Sequence, residues 1–583
     1  MSSPRSRRSD GREQARAVHV AQSAGVSLRS SSVGALPIVN RIFERMKLED
    51  WLTAYLPRPD RRNKITSVQG LLVLLRNILL CREPLYGVGE WAARCAPDLL
   101  GLDAEQIPAL NDDRVGRCLE KLFSADRTSL LLSLVGHVVR EFDVCLDQLH
   151  NDSTTVTFFG RYEEAKRGAR QAGKETLAIT WGHNKDHRPD LKQLLFILTV
   201  AADGAVPVHF KPAHGNVTDD KTHQETWDLL CKISGRCDFL YVADSKLATT
   251  ENMTYINTRH GRFVTILPRT RKEDSDFREQ AASAAIEWRE IHTRRNEQGD
   301  IVDRFGIRDQ QATTREGFRL IWYHSSRKAA RDAQLRARHI NEAIKALERL
   351  RERLRSPRSR YRERSNVEQS VAQIVEGNHA ERWVRVEIEE ISDSTYFQER
   401  PGRPGKDTRY VRSVRTHFDI HTTIDHEAIA QDALTDGTFP LVTNVTDLDE
   451  RKVLLAYKGQ TRIEKRFSQM KSDFVIAPVF LKNVARIEAL LCLYFLAMLV
   501  QALIEREVRQ QMARRTIEAL PLYPEGRACR APSTRRLLDV FDNIQRHELV
   551  QPEMAAKQLM TELSPLQKQI LRLLSISPGG YGT

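Results

Sequence analysis

Asp152, Asp244 and Glu464 are the residues of this 583-residue chain whose type and setting suit chemistry on a phosphate. Asp152 lies in Leu146 to Phe159 (LDQLHNDSTTVTFF), a run rich in Thr, Val and Phe that reads as a strand. Asp244 closes Phe239-LYVA, a short apolar run that reads as a buried strand. On neighbouring strands the two carboxylates emerge close together, and they repel unless a cation neutralises them. Oxygen ligands in an open site suit Mg²⁺ or Mn²⁺. Taken singly, each Asp reads first as a turn residue at a strand end, since Asp is a common turn residue.

Glu464 falls in Tyr457-KGQTRIEKRFSQMK, which reads as a helix. At about 100° per residue, Tyr457, Gln460, Glu464 and Lys471 share one helix face. One acid flanked by a phenol, an amide and an ammonium suits a phosphate held beside a metal, although a solvated charged face has the same spacing. Other candidates are weaker. Histidines 150, 183, 187, 209, 214 and 223 come without an HxxxH helix or Cys/His spacing, so zinc is not indicated. His183, Lys185 and Arg188 read either as groups approaching a nucleic acid or as an ordered surface loop. Arg355 to Arg364 with Tyr361 reads as a phosphate grip or as a solvated helix connection.

These residues need elements to position them. Leu36 to about Val144 is patterned at three- and four-residue spacing, as in Ser67-VQGLLVLLRNILL, with Ser67 and Asp112 or Asp113 as N-cap candidates. The period then becomes extended. Leu194-LFILTVA and Val206-PVHFK form a hairpin about Ala202-Asp203-Gly204, Asp219 to Ile233 reads as a helix, and Phe263-VTIL as another strand. The order describes an α/β core with a mixed sheet. Ser326 to Leu354 reads as a long charged helix, Trp383-VRVEIEE and His417-FDIHTTI as strands, and 450–475 and 484–510 as helices.

Composition limits the function class. Ninety Lys and Arg face 77 Asp and Glu, a formal charge of +13 that permits a polyanionic partner and favours nucleic acid. Eight cysteines without a CxxC pair argue against a zinc ribbon and a disulfide framework, and for a reduced compartment. Ala489 to Val500 is wholly apolar but too short to span a bilayer, so a core helix is expected and no membrane. The N-terminus lacks a secretory pattern, and the expected location is the cytoplasm.

The signature helix and several other blocks carry a family likeness. The chain resembles the DDE transposases of bacterial insertion sequences, in the insertion-sequence-four superfamily, whose third acid lies in a Tyr-x2-Arg-x3-Glu-x6-Lys signature. Tyr457, Glu464 and Lys471 match it; Gln460 stands at the Arg position, with Lys458 or Arg462 as substitutes for its phosphate contact. Gly182-HNKDHRPDLKQ, Gly215-NVTDDKT and Val242-ADSKL are similar to further blocks of one branch, and Leu85-YGVGEWA and Leu110-NDDRVGRCLEKLF to that branch's helical N-terminal domain. The likeness runs from about 36 to about 510.

That resemblance implies an α/β, ribonuclease H-like catalytic core with a mixed sheet and a long insertion, preceded by an all-helical N-terminal domain. The expected organisation is a disordered basic arm (1–33), a helical domain for DNA-end binding or dimerisation (34–144), the first part of the core (145–269), an insertion domain (270–440), the second part of the core (441–510) and a helical tail (511–583). It implies a transposase that binds terminal inverted repeats, cleaves DNA and joins 3′-hydroxyl ends to target DNA. Two Mg²⁺ ions, with Mn²⁺ as substitute, would be held by Asp152, Asp244 and Glu464; Tyr457, Gln460, Lys471, Lys185 and Arg188 would contact DNA. A homodimer or higher oligomer on DNA, in a bacterial, nucleoid-associated setting, goes with it. The competing readings are a nuclease that does not rejoin ends and a DNA-binding protein without catalysis.

Overall fold

The computed structural model describes residues 27–581 except 59–61, 218, 285, 297, 357, 473–480 and 551–556. Residues 1–26 of the expected basic arm therefore lie outside the described residues. The chain forms two units, one of residues 1–243, 255–262 and 458–583, the other of 244–254 and 263–457.

In the first unit a short strand, β1 (Ser27–Ser32), precedes six α-helices between Leu36 and Glu141. Thr66, not Ser67, caps the helix Ser67–Leu80: its hydroxyl accepts from Gln69 N at 3.1 Å while Gln69 Oε1 accepts from Thr66 N at 2.9 Å. Asn111, not Asp112 or Asp113, caps the helix Asp112–Ser124. A sheet follows, from β2 (Gln148–Phe158), β3 (Lys192–Ala201), β4 (Pro207–His214) and β5 (Leu240–Ala243). β3 runs antiparallel to both β2 and β4, whereas β5 runs parallel to β2, in the order β4-β3-β2-β5. The sheet is mixed, as expected. The β3–β4 turn forms at the anticipated place, where Gly204 takes φ +70° against the Arg506 side chain, a conformation and a clearance that a Cβ would spoil.

Burial on this sheet has a measurable consequence. His209, on β4, is buried with its Nε2 unbonded, and burial pushes its pKa down to about 4. The unfolded chain then binds the extra proton below about pH 6.5, so stability is present above that pH and falls as the pH drops toward 4. His209→Leu is expected to remove up to about 3 kcal/mol of that acid-dependent loss. Urea unfolding at pH 7 and pH 4.5 checks it, and an identical pH dependence in the two proteins would count against it.

The second unit takes in Asp244–Thr254 and then β6 (Arg262–Ile266), whose residues from Phe263 onward belong to it. β7 (Arg289–Arg295), β8 (Ile301–Ile307) and β9 (Arg319–Ser325) lead to the helix Ser326–Arg355. β10 (Val384–Gln398) and β11 (Tyr410–Ile424) form a ribbon of their own, and β12 (Thr438–Thr443) completes an antiparallel sheet in the order β6-β12-β9-β8-β7. The long helix buries Ile340, Ala343, Leu347, Leu350 and Leu354 against Val367, Val384, Phe418 and Ile420. Asp419 receives both Arg351 (2.9 Å) and Arg355 (2.6 Å), and their guanidiniums hold its carboxyl far below the usual range. Arg355 and the half-buried Tyr361 are thus engaged within this core, which favours the helix-connection reading of that basic turn.

The expected continuous helix over 450–475 is two helices, Glu450–Lys458 and Thr461–Ser472. Gly459 and Gln460 interrupt it, glycine being a poor helix former. Tyr457 therefore ends one helix and Glu464 begins another, so the single shared face drawn from a continuous 3.6-residue period does not exist.

The helix Val484–Arg514 is long and apolar enough to cross a membrane, yet 89% of its most apolar window is buried inside the fold. It packs on β4 and on the helices Ser67–Leu80 and Asp112–Ser124, which makes it the core helix expected. The tail is not all helical. β13 (Gln545–Val550) pairs with β14 (Lys557–Met560) and, antiparallel, with β1. Ser27–Ser32, the end of the arm expected to be disordered, is consequently ordered by a partner more than five hundred residues away, which no local pattern announces.

Candidate active site

Asp152 is the one residue from Leu149 to Phe158 on β2 that is not buried. Its Oδ1 accepts from Ser153 N at 2.7 Å and meets the Lys185 ammonium at 3.3 Å. The same ammonium reaches Ser153 O at 2.7 Å and Ser153 Oγ at 2.9 Å. A compact cation thus sits among three oxygens at the first acid.

Lys185 belongs to the segment Gly182–Gln193, which also touches the helix carrying Glu464. Asn184 Oδ1 accepts from Asp186 N and from Arg188 N, turning the chain so that Asp186 meets Lys471 at 2.5 Å. Gly182 makes the turn fit: a Cβ there would lie 2.0 Å from Gly215 O, in the second of the blocks singled out from the sequence. Arg188 is exposed and forms a bidentate pair with Asp190 at 2.8 and 2.7 Å.

Gln460 is the joint between β2 and the Glu464 helix. Gln148 Nε2 donates to His150 Nε2 at 2.9 Å, so the His150 Nδ1–H donates to Gln460 Oε1 at 3.1 Å. Gln460 Nε2 in turn donates to Asn151 O at 3.2 Å. Burial pushes His150 down to about 4, which keeps the ring neutral, and the bonds to Gln148 and Gln460 set its tautomer. Both ends of the Gln460 amide are committed to β2, at the two residues before Asp152. An arginine could donate here but could not accept from His150, so a glutamine at this place has a structural reason.

Glu464 stands in the first turn of Thr461–Ser472 on its exposed face, without a hydrogen-bond or ion-pair partner among the described residues. The opposite face is buried through Ile463, Arg466, Phe467 and Met470. Arg466 donates to Ala205 O (2.9 Å), Gly204 O (3.0 Å), Gln469 Oε1 (2.7 Å) and Glu505 Oε2 (3.1 Å). Sequence reasoning missed this anchor, although an arginine lying between Ile463 and Met470 on the apolar stripe was a visible signal.

Asp244 and Tyr457 belong to the second unit. Asp244 directly follows β5, whose last residue Ala243 is in parallel register with Asn151. Its carboxylate caps the turn Ser245–Leu247 by accepting from Lys246 N at 3.1 Å, and its carbonyl accepts from Thr265 Oγ1 at 2.7 Å. The structure thus gathers Asp152, Lys185, Gln460 and the Glu464 helix within one unit. Among the described residues no group of three or more His, Cys, Asp or Glu is assembled as a metal cage. The donors fit a hard divalent cation in kind: carboxylate, hydroxyl and carbonyl oxygens already surround the Lys185 charge.

The family described as Transposase DDE domain matches residues 147–500, more than half of the chain. The chain belongs to the transposase DDE domain family. A second family, a domain of unknown function (DUF4277), matches residues 28–136, the helical stretch ahead of the DDE domain. The DDE match begins one residue before β2 and ends inside the core helix, so it takes in all three acids. DDE domains cut and transfer DNA and use divalent metal ions. A comparison with curated proteins gives no match. Among solved structures, the chain is similar to a piggyBac transposase synaptic complex with hairpin DNA at 8% identity and a TM-score of 0.31, covering 80% of this chain and 72% of that one. A pre-cleavage Mos1 transpososome matches at 10% identity and a TM-score of 0.14, covering 38% and 66%. Scores this low carry no argument about the fold of this chain, which rests on its own strands.

Proposed function

We propose that this DDE transposase domain binds the terminal inverted repeats of a bacterial insertion sequence, cleaves the DNA and joins the freed 3′-hydroxyls to target DNA. The observation that carries the reading is the DDE match over a segment in which Asp152 is partly exposed on an otherwise buried stretch of strand, beside the residues tied to the Glu464 helix. We read the β2–β5 sheet as the ribonuclease H-like core and residues 270–440 as its insertion.

Asp152, Asp244 and Glu464 would hold two Mg²⁺ ions, with Mn²⁺ as substitute. Bound there, the metals supply Lewis-acid stabilisation of the phosphate oxygens and a more acidic nucleophile. The chain's own residues do the rest. The Lys185 charge, held on Asp152 in this state, is placed to pass to a non-bridging phosphate oxygen once the carboxylate takes a cation. Lys471 and Arg188, held by Asp186 and Asp190, are further phosphate contacts on the same segment and its helix partner. Gln460 orients the Glu464 helix rather than touching DNA. In the first step water attacks phosphorus and the departing oxygen becomes the 3′-hydroxyl. In the second that hydroxyl attacks a target phosphodiester, one P–O bond forming as another breaks.

The test is a cleavage and strand-transfer assay with labelled element ends, in Mg²⁺ and in EDTA, using a 3′-hydroxyl or a blocked 3′ end as donor. The reading expects cutting and joining in Mg²⁺, neither in EDTA, and no joining from the blocked end. Cutting without joining from a 3′-hydroxyl would make the protein a nuclease. Binding of the ends without cutting in any divalent metal would leave only a DNA-binding role.

A further inference from the structure

The β10–β11 ribbon outruns the core that supports it. Near its base Val384, Ile388, Phe418 and Ile420 pack against the helices Ser326–Arg355 and Arg364–Gly377. Beyond the Ser392↔Thr416 pair the strands stay in unbroken antiparallel register to Gln398↔Tyr410. Six residues per strand at about 3.4 Å each project the ribbon roughly 20 Å past that support.

The projecting part is chemically unlike a solvated hairpin. Tyr396 is 64% exposed, Tyr410 55% and Phe397 53%, and no helix covers them. Residues 393–415 hold six cations, Arg400, Arg403, Lys406, Arg409, Arg412 and Arg415, against Asp393, Glu399 and Asp407. Arg400, Arg403, Lys406 and Arg409 crowd the tip, where Pro401-Gly402-Arg403-Pro404-Gly405 and the Thr408 Oγ1 bond from Gly405 N (2.7 Å) shape the loop. Cross-strand pairing sets Tyr396 opposite Arg412 and Gln398 opposite Tyr410, so rings and a guanidinium share one face.

We propose that this ribbon is a DNA-gripping arm, inserted into a groove of duplex DNA with its tip cations on the phosphates. It rests on the reading of the chain as a DNA-processing enzyme and names an element of the second unit that holds the substrate. A two-stranded ribbon has the width of the major groove. Cations at the tip supply the sequence-independent attraction to phosphate, and bare rings beside an arginine are suited to pack on sugars and base edges. A second protein chain fits the exposed strands less well, because a surface that positive repels its own copy.

The experiment uses full-length protein and fluorescein-labelled duplexes, one an element end and one of unrelated sequence and equal length, read by anisotropy across a KCl series. The charge variant is Arg400→Ala, Arg403→Ala, Lys406→Ala and Arg409→Ala together; the ring variant is Tyr396→Ser, Phe397→Ser and Tyr410→Ser. The charge variant is expected to raise Kd for both duplexes about tenfold or more and to flatten the salt dependence of log Kd by about 2 to 4. The ring variant is expected to weaken binding with the salt slope unchanged. Wild-type binding with both variants within twofold of it overturns the arm alone, as does lost binding that follows a lost dimer in sedimentation. A wild type that binds neither duplex overturns the enzyme reading along with the arm.

Discussion

Asp152→Asn is expected to lower DNA cleavage at least about a thousandfold, roughly 4 kcal/mol of transition-state stabilisation, while the protein stays as stable as before. The substitution keeps the side-chain shape and an oxygen that can accept from Ser153 N, but removes the charge that would hold a divalent cation. What the folded state loses is the pairing with Lys185, whose side chain is 32% exposed against 23% for Asp152. A partly solvated pair at 3.3 Å is worth no more than about 1 kcal/mol. Glu464→Gln makes a sharper comparison. Glu464 is exposed and unpartnered among the described residues, so its unfolding free energy should move by less than about 0.5 kcal/mol while cleavage falls similarly. Single-turnover cleavage of a labelled element end, beside urea unfolding of the same preparations, reads both quantities. Asp152→Asn within tenfold of wild type, or Glu464→Gln losing activity only in step with stability, would remove these residues from the chemistry.

Much of the fold was legible because its periods are local. The β3–β4 hairpin announces itself through alternating apolar residues and Ala202-Asp203-Gly204; the helix Ser326–Arg355 is one long charged amphipath; the buried helix Val484–Arg514 carries the wholly apolar run from Ala489 to Val500, which by itself is too short to span a bilayer. What escaped depends on distant partners. β1 is a strand only because Gln545–Val550 lies beside it, and its own sequence, Ser27-LRSSS, carries no strand signal. The caps moved by a single residue, from Ser67 to Thr66 and from Asp112 to Asn111, because several neighbouring residues had suitable side chains and only the chain direction chooses among them.

The candidate site divides the same way. Residue types and spacing marked Asp152, Asp244, Glu464 and Lys471, and the structure places Asp152 at a partly exposed position of a buried strand and Glu464 on the exposed face of its helix. The helical wheel misplaced Tyr457, because one glycine at 459 restarts the helix and invalidates angles counted across it, whereas Gln460, Glu464 and Lys471 all follow that break. Gln460 then proves to be the joint to His150 and Asn151, a role that needs β2 in view. Lys185 came out of the sequence as a possible DNA contact; its place on Asp152 could not, since that contact joins a loop to a strand thirty-odd residues away.

The anchor beneath Glu464 gives the largest expected loss of stability. Arg466 is 1% exposed and Glu505 is fully buried, and the charged pair is closed at 3.1 Å with Gln469 bridging both at 2.7 and 3.0 Å. Burial pulls the Arg466 pKa down against the upward pull of Glu505; for Glu505 burial pushes upward, but Arg466, Lys465 and Arg509 outweigh it and hold the carboxyl low. Breaking one partner strands the other charge in the interior, at about 3–5 kcal/mol. Glu505→Gln should pay that in full, because Arg466 then retains only carbonyl and amide acceptors. Arg466→Met should cost less, since Lys465 at 3.8 Å and Arg509 at 3.4 Å still attend Glu505. Arg466→Met with Glu505→Leu should recover most of the loss, as apolar replacement of a buried pair is often neutral. Urea unfolding of the four proteins, followed by a probe in the first unit, measures the cycle. Near-additive losses in the double variant would show that the two charges do not hold each other, and the helix bearing Glu464 would then owe its position to the apolar contacts of Ile463, Phe467 and Met470 and to the Gln460 joint.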